Sequence, residues 1–130
     1  FEIWGGIAGC QSLLSAVLSS GAFALDDSGV QQVARLVSYT PARLLRQPQK
    51  GDIRVGLDAD LVLVDLAQEF TLAQSDLRYR HLVSPYVGFP FRGRPVRTML
   101  RGNTIAQDGN AVGSPQGRLI TPARVSGVSI

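Results

Sequence analysis

Lys50-Gly51-Asp52-Ile53-Arg54-Val55-Gly56-Leu57-Asp58-Ala59-Asp60-Leu61-Val62 is the stretch across which the chain changes character. Before it, apolar residues recur at three- and four-residue spacing. After it they come in short β-branched and leucine runs, the pattern of strands rather than helices. Within it, residues 53–55 and 61–64 read as two strands separated by the turn signal Gly56-Leu57-Asp58. The second run is apolar at consecutive positions, which predicts a strand buried on both faces.

Upstream, Leu13, Leu14, Val17 and Leu18 mark one face of an amphipathic helix over residues 8–20, ended by Ser19-Ser20-Gly21. A second helix starts at Asp27-Ser28, either of which can cap it, and presents Val30, Val33, Ala34 and Val37 on one side. Thr40-Pro41 reads as an N-cap followed by proline at the first helical position of a short helix through Leu45. Downstream, residues 69–72 predict a short strand, and Ser75-Asp76 can cap one helical turn through Tyr79. Residues 84–95 hold three prolines and two glycines and predict an irregular loop. Residues 96–100 and 104–107 read as a hairpin about Gly102-Asn103, with Asp108-Gly109 turning the chain into Ala111-Val112. Helices first and strands afterwards predict an α+β arrangement or pieces of two domains.

The 130 residues bound the chain to one domain or less. A hydrophobic content of 45% rules out a disordered chain. The longest apolar run, residues 61–66, is broken by Asp65 and falls far short of the ~20 residues of a membrane span. A single cysteine, Cys10, excludes an intramolecular disulfide and points to a reducing, cytoplasmic setting. One histidine with one cysteine cannot close a zinc site. The chain begins at Phe1 without an initiator methionine, and residues 1–7 read like chain interior, so the expectation is a fragment of a longer protein.

Charge is unevenly placed. Residues 1–70 carry eight acids against five bases, net −3, and residues 71–130 two acids against eight bases, net +6. Twelve of the thirteen bases are arginine, and six lie from Arg78 to Arg101. A basic half can be a phosphate-binding footprint. Broken by prolines and glycines, in a chain with one lysine, it reads rather as a solvated or interface face, with Arg97 and Arg101 at its strand positions.

Few residues here can carry chemistry. Asp58, Asp60 and Asp65 are the close carboxylates, but the central glycine and distal glutamate of a calcium loop are missing, so Asp58 belongs in the turn and Asp60 at the lead into a strand. His81 has no serine or cysteine partner in view. Cys10, at a helix start, reads as a core residue or an activated thiol. Trp4-Gly5-Gly6 combines a flat apolar wall with backbone that other groups can approach closely, which suits a tight packing turn or a ligand site.

The segment quoted first resembles the K-G-x-I-x-x-G-x-D-A-D-L-V stretch of the cyclic amidohydrolases: dihydroorotases, hydantoinases and allantoinases. Three further segments join it in order: Trp4-Gly5-Gly6-Ile7-Ala8-Gly9; Leu77-Arg78-Tyr79-Arg80-His81 running into Ser84-Pro85-Tyr86-Val87-Gly88; and Leu100-Arg101-Gly102-Asn103-Thr104-Ile105. The series is most similar to the allantoinase branch and runs to about residue 120.

The resemblance implies the C-terminal third of a metal-dependent hydrolase. Residues 1–49 would be outer helices of a (β/α)8 TIM-like barrel, residues 50–117 strands of a small β-sandwich with an irregular 84–95 loop, and residues 118–130 a C-terminal tail. It implies a binuclear divalent metal centre, zinc in the first instance, whose ligands and catalytic aspartate all precede Phe1, so that none is expected in this piece and the piece alone is inactive. The implied substrate is a small cyclic amide, allantoin first, opened to allantoate in purine catabolism. Trp4, Gly5 and Gly6 would line the substrate pocket at the C-terminal face of the barrel. The remainder of the same polypeptide is the implied partner, within a cytoplasmic homo-oligomer that engages neither nucleic acid nor membrane. Other hydantoinase, dihydropyrimidinase or dihydroorotase activities, or a non-catalytic amidohydrolase-like partner, are the alternatives.

Overall fold

The computed structural model describes residues 7–123. Helix α1 (Leu13–Ser19) is followed by α2 (Asp27–Ala34), a π-helical turn (Arg35–Tyr39) and α3 (Thr40–Leu44). Four antiparallel strands in the order β1-β2-β3-β4 complete the fold: β1 (Leu61–Thr71), β2 (Pro90–Leu100), β3 (Asn103–Gln107) and β4 (Asn110–Ala111). The small core lies where α1 meets the sheet, around Leu72, Leu77 and Phe91, with Phe70, Tyr79 and Tyr86 packed against it. Among the described residues no helix is long and apolar enough to cross a membrane.

Helix α1 turns only part of its leucine-marked face inward, together with two serines. Ser12, Ser15 and Leu18 are buried, while Leu13 is 57% exposed. The reason is hydrogen bonding to β2. Ser15 Oγ donates to Gly93 O at 2.8 Å, and Ser19 Oγ accepts from Arg92 N at 2.8 Å. Short hydroxyl side chains let the helix sit close enough to the strand to satisfy backbone groups there. Gly93 completes the contact: its φ is +83°, and a Cβ on it would lie 2.7 Å from Leu18 Cδ1.

The second and third predicted helices form one continuous run. Asp26, one residue before the predicted caps, is the N-cap, its carboxylate accepting from Gly29 N at 2.9 Å. Thr40 caps nothing. Its N–H donates to Arg35 O, five residues back, in the π-helical turn. Pro41 has no N–H to offer the carbonyl four residues before it, and a wider turn ahead of a proline accommodates that gap.

The predicted strand at 53–55 is absent. Residues 50–58 form a closed loop in which Asp58 N donates to Gln49 O at 2.9 Å, leaving Ile53 and Val55 exposed. The predicted strands at 61–64 and 69–72 are two ends of the single long β1. Buried on neither face, β1 pairs among the described residues only with β2, and Val62 and Leu63 are exposed. Its middle is bulged: Asp65 opposes Arg94 and Glu69 opposes Arg92, and the Asp65 carboxylate takes the spare Ala67 and Gln68 N–H groups at 3.0 and 3.2 Å.

The irregular segment also ends earlier than expected. Pro90 opens β2, and Pro95 sits beside the register shift opposite Leu63 and Val64. A strand tolerates proline at those two places because no ladder N–H is needed there. The predicted helical turn ending at Tyr79 is a 3-10 turn, Gln74–Asp76, with the Asp76 carboxylate accepting from Ala73 N. The hairpin stands, shifted by one: Arg101 and Gly102, at φ +48° and +82°, are its turn residues and Leu100 opposes Asn103.

Gly93→Ala combines a left-handed φ with a collision inside the α1–β2 contact, so it is expected to lower stability of the whole protein by about 2–3 kcal/mol. Gly117→Ala, with nothing within 4 Å of its added Cβ, is expected to change it by less than about 0.5 kcal/mol. Urea unfolding of the two variants checks the contrast.

Candidate functional site

The four segments that carry the family resemblance come together in two pairs. One pair joins the Lys50–Asp60 loop to the β2–β3 turn. Lys50 Nζ lies between two carboxylates, 2.9 Å from Asp58 Oδ2 and hydrogen-bonded to Asp60 Oδ2. The second oxygen of Asp60 accepts from Arg101 N at 2.8 Å, and Ala59 O accepts from Gly102 N at 2.9 Å. Asp60 therefore holds the end of the loop, the start of β1 and the tip of a hairpin at one point. Gly51 permits the approach: its φ is +88°, and a Cβ there would stand 2.5 Å from Ala42 Cβ on α3.

The electrostatics of this cluster are those of a structural pin. The hydrogen bond to Asp60, then that to Asp58, raises the Lys50 ammonium above its ordinary 10.5 despite partial burial. Burial pushes the Asp60 carboxyl upward, but the Lys50 hydrogen bond, the Arg101 N–H and the two positive charges outweigh it and hold the group below its ordinary 3.8. With these oxygens engaged by an ammonium and an amide, the cluster does not fit a metal. Among the described residues no group of three His, Cys, Asp or Glu is placed to hold an ion.

The second pair joins the beginning of the described chain to residues 76–89. Ser84, 8% exposed, donates from Oγ to Ala8 O at 2.8 Å. The ring of Tyr86 lies against Gly9, its Cε2 3.5 Å from where a Cβ would stand. Gln11 makes three bonds to the same region. Its N–H donates to Tyr79 Oη at 2.7 Å, its side-chain Nε2 donates to Asp76 O at 2.7 Å, and its Oε1 accepts from Arg78 N at 2.9 Å. Behind them, Tyr86, Phe89 and Phe91 form an aromatic cluster of tilted and edge-on rings with centroids 5.0–6.2 Å apart.

Trp4, Gly5 and Gly6, the residues predicted to line a substrate pocket, lie outside the described residues. The structure fixes where the chain goes directly after them. His81 is exposed and hydrogen-bonds no nucleophile among the described residues, and Cys10, in the turn leading into α1, is exposed rather than in the core. The basic segment is largely occupied internally. Arg92 Nε donates to Leu66 O, Arg94 stacks over the Phe70 ring at 5.4 Å, and Arg101 Nη2 donates to Gln116 O at 2.7 Å. Gln11 and Ser84 are residues that sequence reasoning misses. Both lie within or beside the resembling segments, but nothing local marks a glutamine or serine whose partners are about 65–76 residues away.

The profile of the Amidohydrolase family matches residues 6–105. The chain is 48% identical over 129 residues to an allantoinase of Rubrobacter xylanophilus, covering 98% of this chain and 28% of that protein. It is 42% identical over 121 residues to an allantoinase of Desulfitobacterium hafniense, covering 93% of this chain and 27% of that one. Among solved structures, the L-hydantoinase (dihydropyrimidinase) from Arthrobacter aurescens superposes with a TM-score of 0.73 at 33% identity, covering 84% of this chain and 24% of its own. The chain thus spans about a quarter of the length of the curated relatives it matches.

The pH dependence of the pin follows from its signs. Asp60 titrates lower folded than unfolded, so its contribution is present above pH 3.8 and is lost as pH falls through the depressed value. Lys50 titrates higher folded, so its contribution is full below pH 10.5 and is lost as pH rises through the raised value. Asp60→Asn is therefore expected to cost about 1–2 kcal/mol near neutrality and to flatten the acid limb of stability below pH 3.8, as thermal unfolding from pH 2 to 7 would show.

Proposed function

The chain belongs to the amidohydrolase family, and on that premise we propose that the whole protein is a metal-dependent cyclic amidohydrolase opening the hydantoin ring of allantoin to give allantoate. The observation that carries the reading is the 48% identity to an allantoinase, which runs through both the helical and the strand half. The reaction adds water across a ring amide: the water oxygen bonds to the carbonyl carbon, the C–N bond breaks, and the ring nitrogen takes up a proton.

In this reading residues 1–49 are the last helical part of a (β/α)8 barrel, residues 50–117 the later strands of a β-sandwich and residues 118–130 its tail. The exposed Leu13, Leu36, Leu44 and Leu45 support it, because helices with bare apolar faces need strands to cover them. The exposed Val62 and Leu63 at the edge strand ask likewise for further sheet. The remainder of the polypeptide supplies both, together with the binuclear divalent metal centre, zinc, for which the described residues offer no site. Trp4, Gly5 and Gly6 form a wall of the substrate pocket at the C-terminal face of the barrel. The enzyme works in the cytoplasm as a homo-oligomer.

A hydantoinase reading comes second, supported by the structural likeness to the Arthrobacter L-hydantoinase. Steady-state rates of the full-length, metal-loaded protein on allantoin, hydantoin, dihydrouracil and dihydroorotate separate the two. The expected outcome is the highest kcat/KM on allantoin. A preference for unsubstituted hydantoin favours the second reading, and no turnover of any cyclic amide overturns both. Trp4→Ala is expected to raise KM for allantoin on the order of tenfold, the worth of one apolar pocket contact; an unchanged KM removes Trp4 from the wall.

A further inference from the structure

We propose that the helical run carries a binding site for a phosphate group, built from Arg43, Arg46 and Arg54 and braced by Tyr39. These four residues line one cleft of about 270 Å³, formed by α3, the residues just past its end and the loop that follows. That is a little under the about 300–1,000 Å³ typical of drug-sized ligands, so the cleft suits an ion or a small phosphate ester rather than a nucleotide.

The guanidiniums here are not used up by the fold. A helix end leaves carbonyls bare, and basic side chains near it ordinarily serve them. At the end of α3 N–H groups do so instead. Leu45 N donates to Pro41 O, Gln47 N to Ala42 O, Arg46 N to Arg43 O, Gln47 Nε2 to Leu45 O and Ala123 N to Arg46 O. Nor are the arginines matched by acids. Among the described residues, Arg35, Arg43 and Arg46 have no carboxylate within ion-pair distance, and Arg54 Nε meets Asp52 Oδ2 at 3.0 Å. Lys50, also in the wall, is engaged by Asp58 and Asp60. With Arg35 counted, five bases stand here against three acids, Asp52, Asp58 and Asp60.

Arg46 is held in a conformation that arginine does not favour. Its φ is +51°, and it follows the C-cap Leu45, the place where helices ordinarily put glycine. Glycine would adopt that conformation with less strain and make the same backbone hydrogen bonds. What arginine has that glycine lacks is its side chain, which is exposed at the cleft. Tyr39 orders the next guanidinium. The Arg43 Cζ lies 5.5 Å from the ring centroid and Nη1 donates to Tyr39 Oη at 3.3 Å, with Arg35 over the same ring at 5.8 Å. A guanidinium stacked on a ring keeps its remaining N–H groups in one plane, ready to fork onto oxygens.

Phosphate matches this arrangement. Each guanidinium can offer two parallel N–H donors, and the three come from α3, from the residue past its end and from the loop. A tetrahedral dianion has oxygens for all three, whereas a planar carboxylate has two oxygens for one fork.

The test uses the whole protein. Inorganic phosphate and glycerol phosphate are titrated by calorimetry against chloride at equal ionic strength, with thermal unfolding alongside. Wild type is expected to bind at least one of them and to gain thermal stability from it. Arg46→Gly suits the left-handed φ, so it is expected to fold at least as well as wild type, yet to weaken that binding on the order of tenfold. Arg43→Gln is expected to weaken it similarly from a different element. No binding by wild type beyond chloride overturns the inference. Binding that survives unchanged in both variants places the phosphate elsewhere and overturns it as well. So does a fall in the melting temperature of Arg46→Gly with no phosphate response in either protein, which marks the arginines as partners of carboxylates in the remaining polypeptide. Binding is read without turnover and stands or falls apart from the activity.

Discussion

The carboxylate of Asp60 accepts from the Lys50 ammonium with one oxygen and from the Arg101 amide with the other, and the two halves of the chain are registered through it. One partner closes the loop that leaves α3; the other is the tip of the hairpin that follows β2. An asparagine could serve one of these donors with its oxygen but would turn its own N–H groups toward the other. The conformation of Gly51 brings Lys50 within reach, since any side chain there would drive the loop away from Ala42. The loop in between has little else to hold it, with Ile53 and Val55 in solvent.

At the other end of the molecule the same economy recurs with neutral groups. Helix α1 is docked by Ser15 and Ser19 onto the backbone of β2, and the segment before α1 by Ser84, Tyr79 and Gln11. Hydroxyls and one amide take up backbone groups that have no ladder partner, as buried polar groups require. This leaves Leu13 turned outward while Leu18 packs on β2. An amphipathic pattern thus says that a helix has an apolar side, not how much of that side meets its nearest neighbour.

The four segments of family resemblance acquire a physical meaning once paired. The Lys50 segment and the hairpin segment form a pin with no catalytic geometry: its carboxylates are spent on an ammonium and backbone amides. Ala8 and Gly9, at the end of the Trp4 segment, meet the Ser84 segment through Ser84 Oγ and the Tyr86 ring. Of the residues singled out from the sequence for chemistry, Asp58, Asp60 and Asp65 all have local structural tasks, and His81 and Cys10 are exposed. Gln11 and Ser84, ordinary residues by type, make the contacts that join the chain before α1 to residues 76–84.

Local physics alone determined the order of helices before strands, the start of α2 within two residues, the turn at Asp108-Gly109, and a hairpin turn read at Gly102-Asn103 that lies one residue earlier, at Arg101-Gly102; the ordered motifs carried the family resemblance. Each depends on neighbours a few positions apart, where spacing and turn chemistry act directly. Tertiary structure decided the rest. Residues 53–55 have strand-like composition but no partner strand, so they became loop. Residues 61–64 look doubly buried, yet their place at the edge of the sheet exposes Val62 and Leu63. Asp60 and Arg101 are 41 residues apart, and Ser15 and Gly93 are 78 apart. A hydrogen bond depends on positions within a few tenths of an ångström, and over such separations only the folded chain sets them.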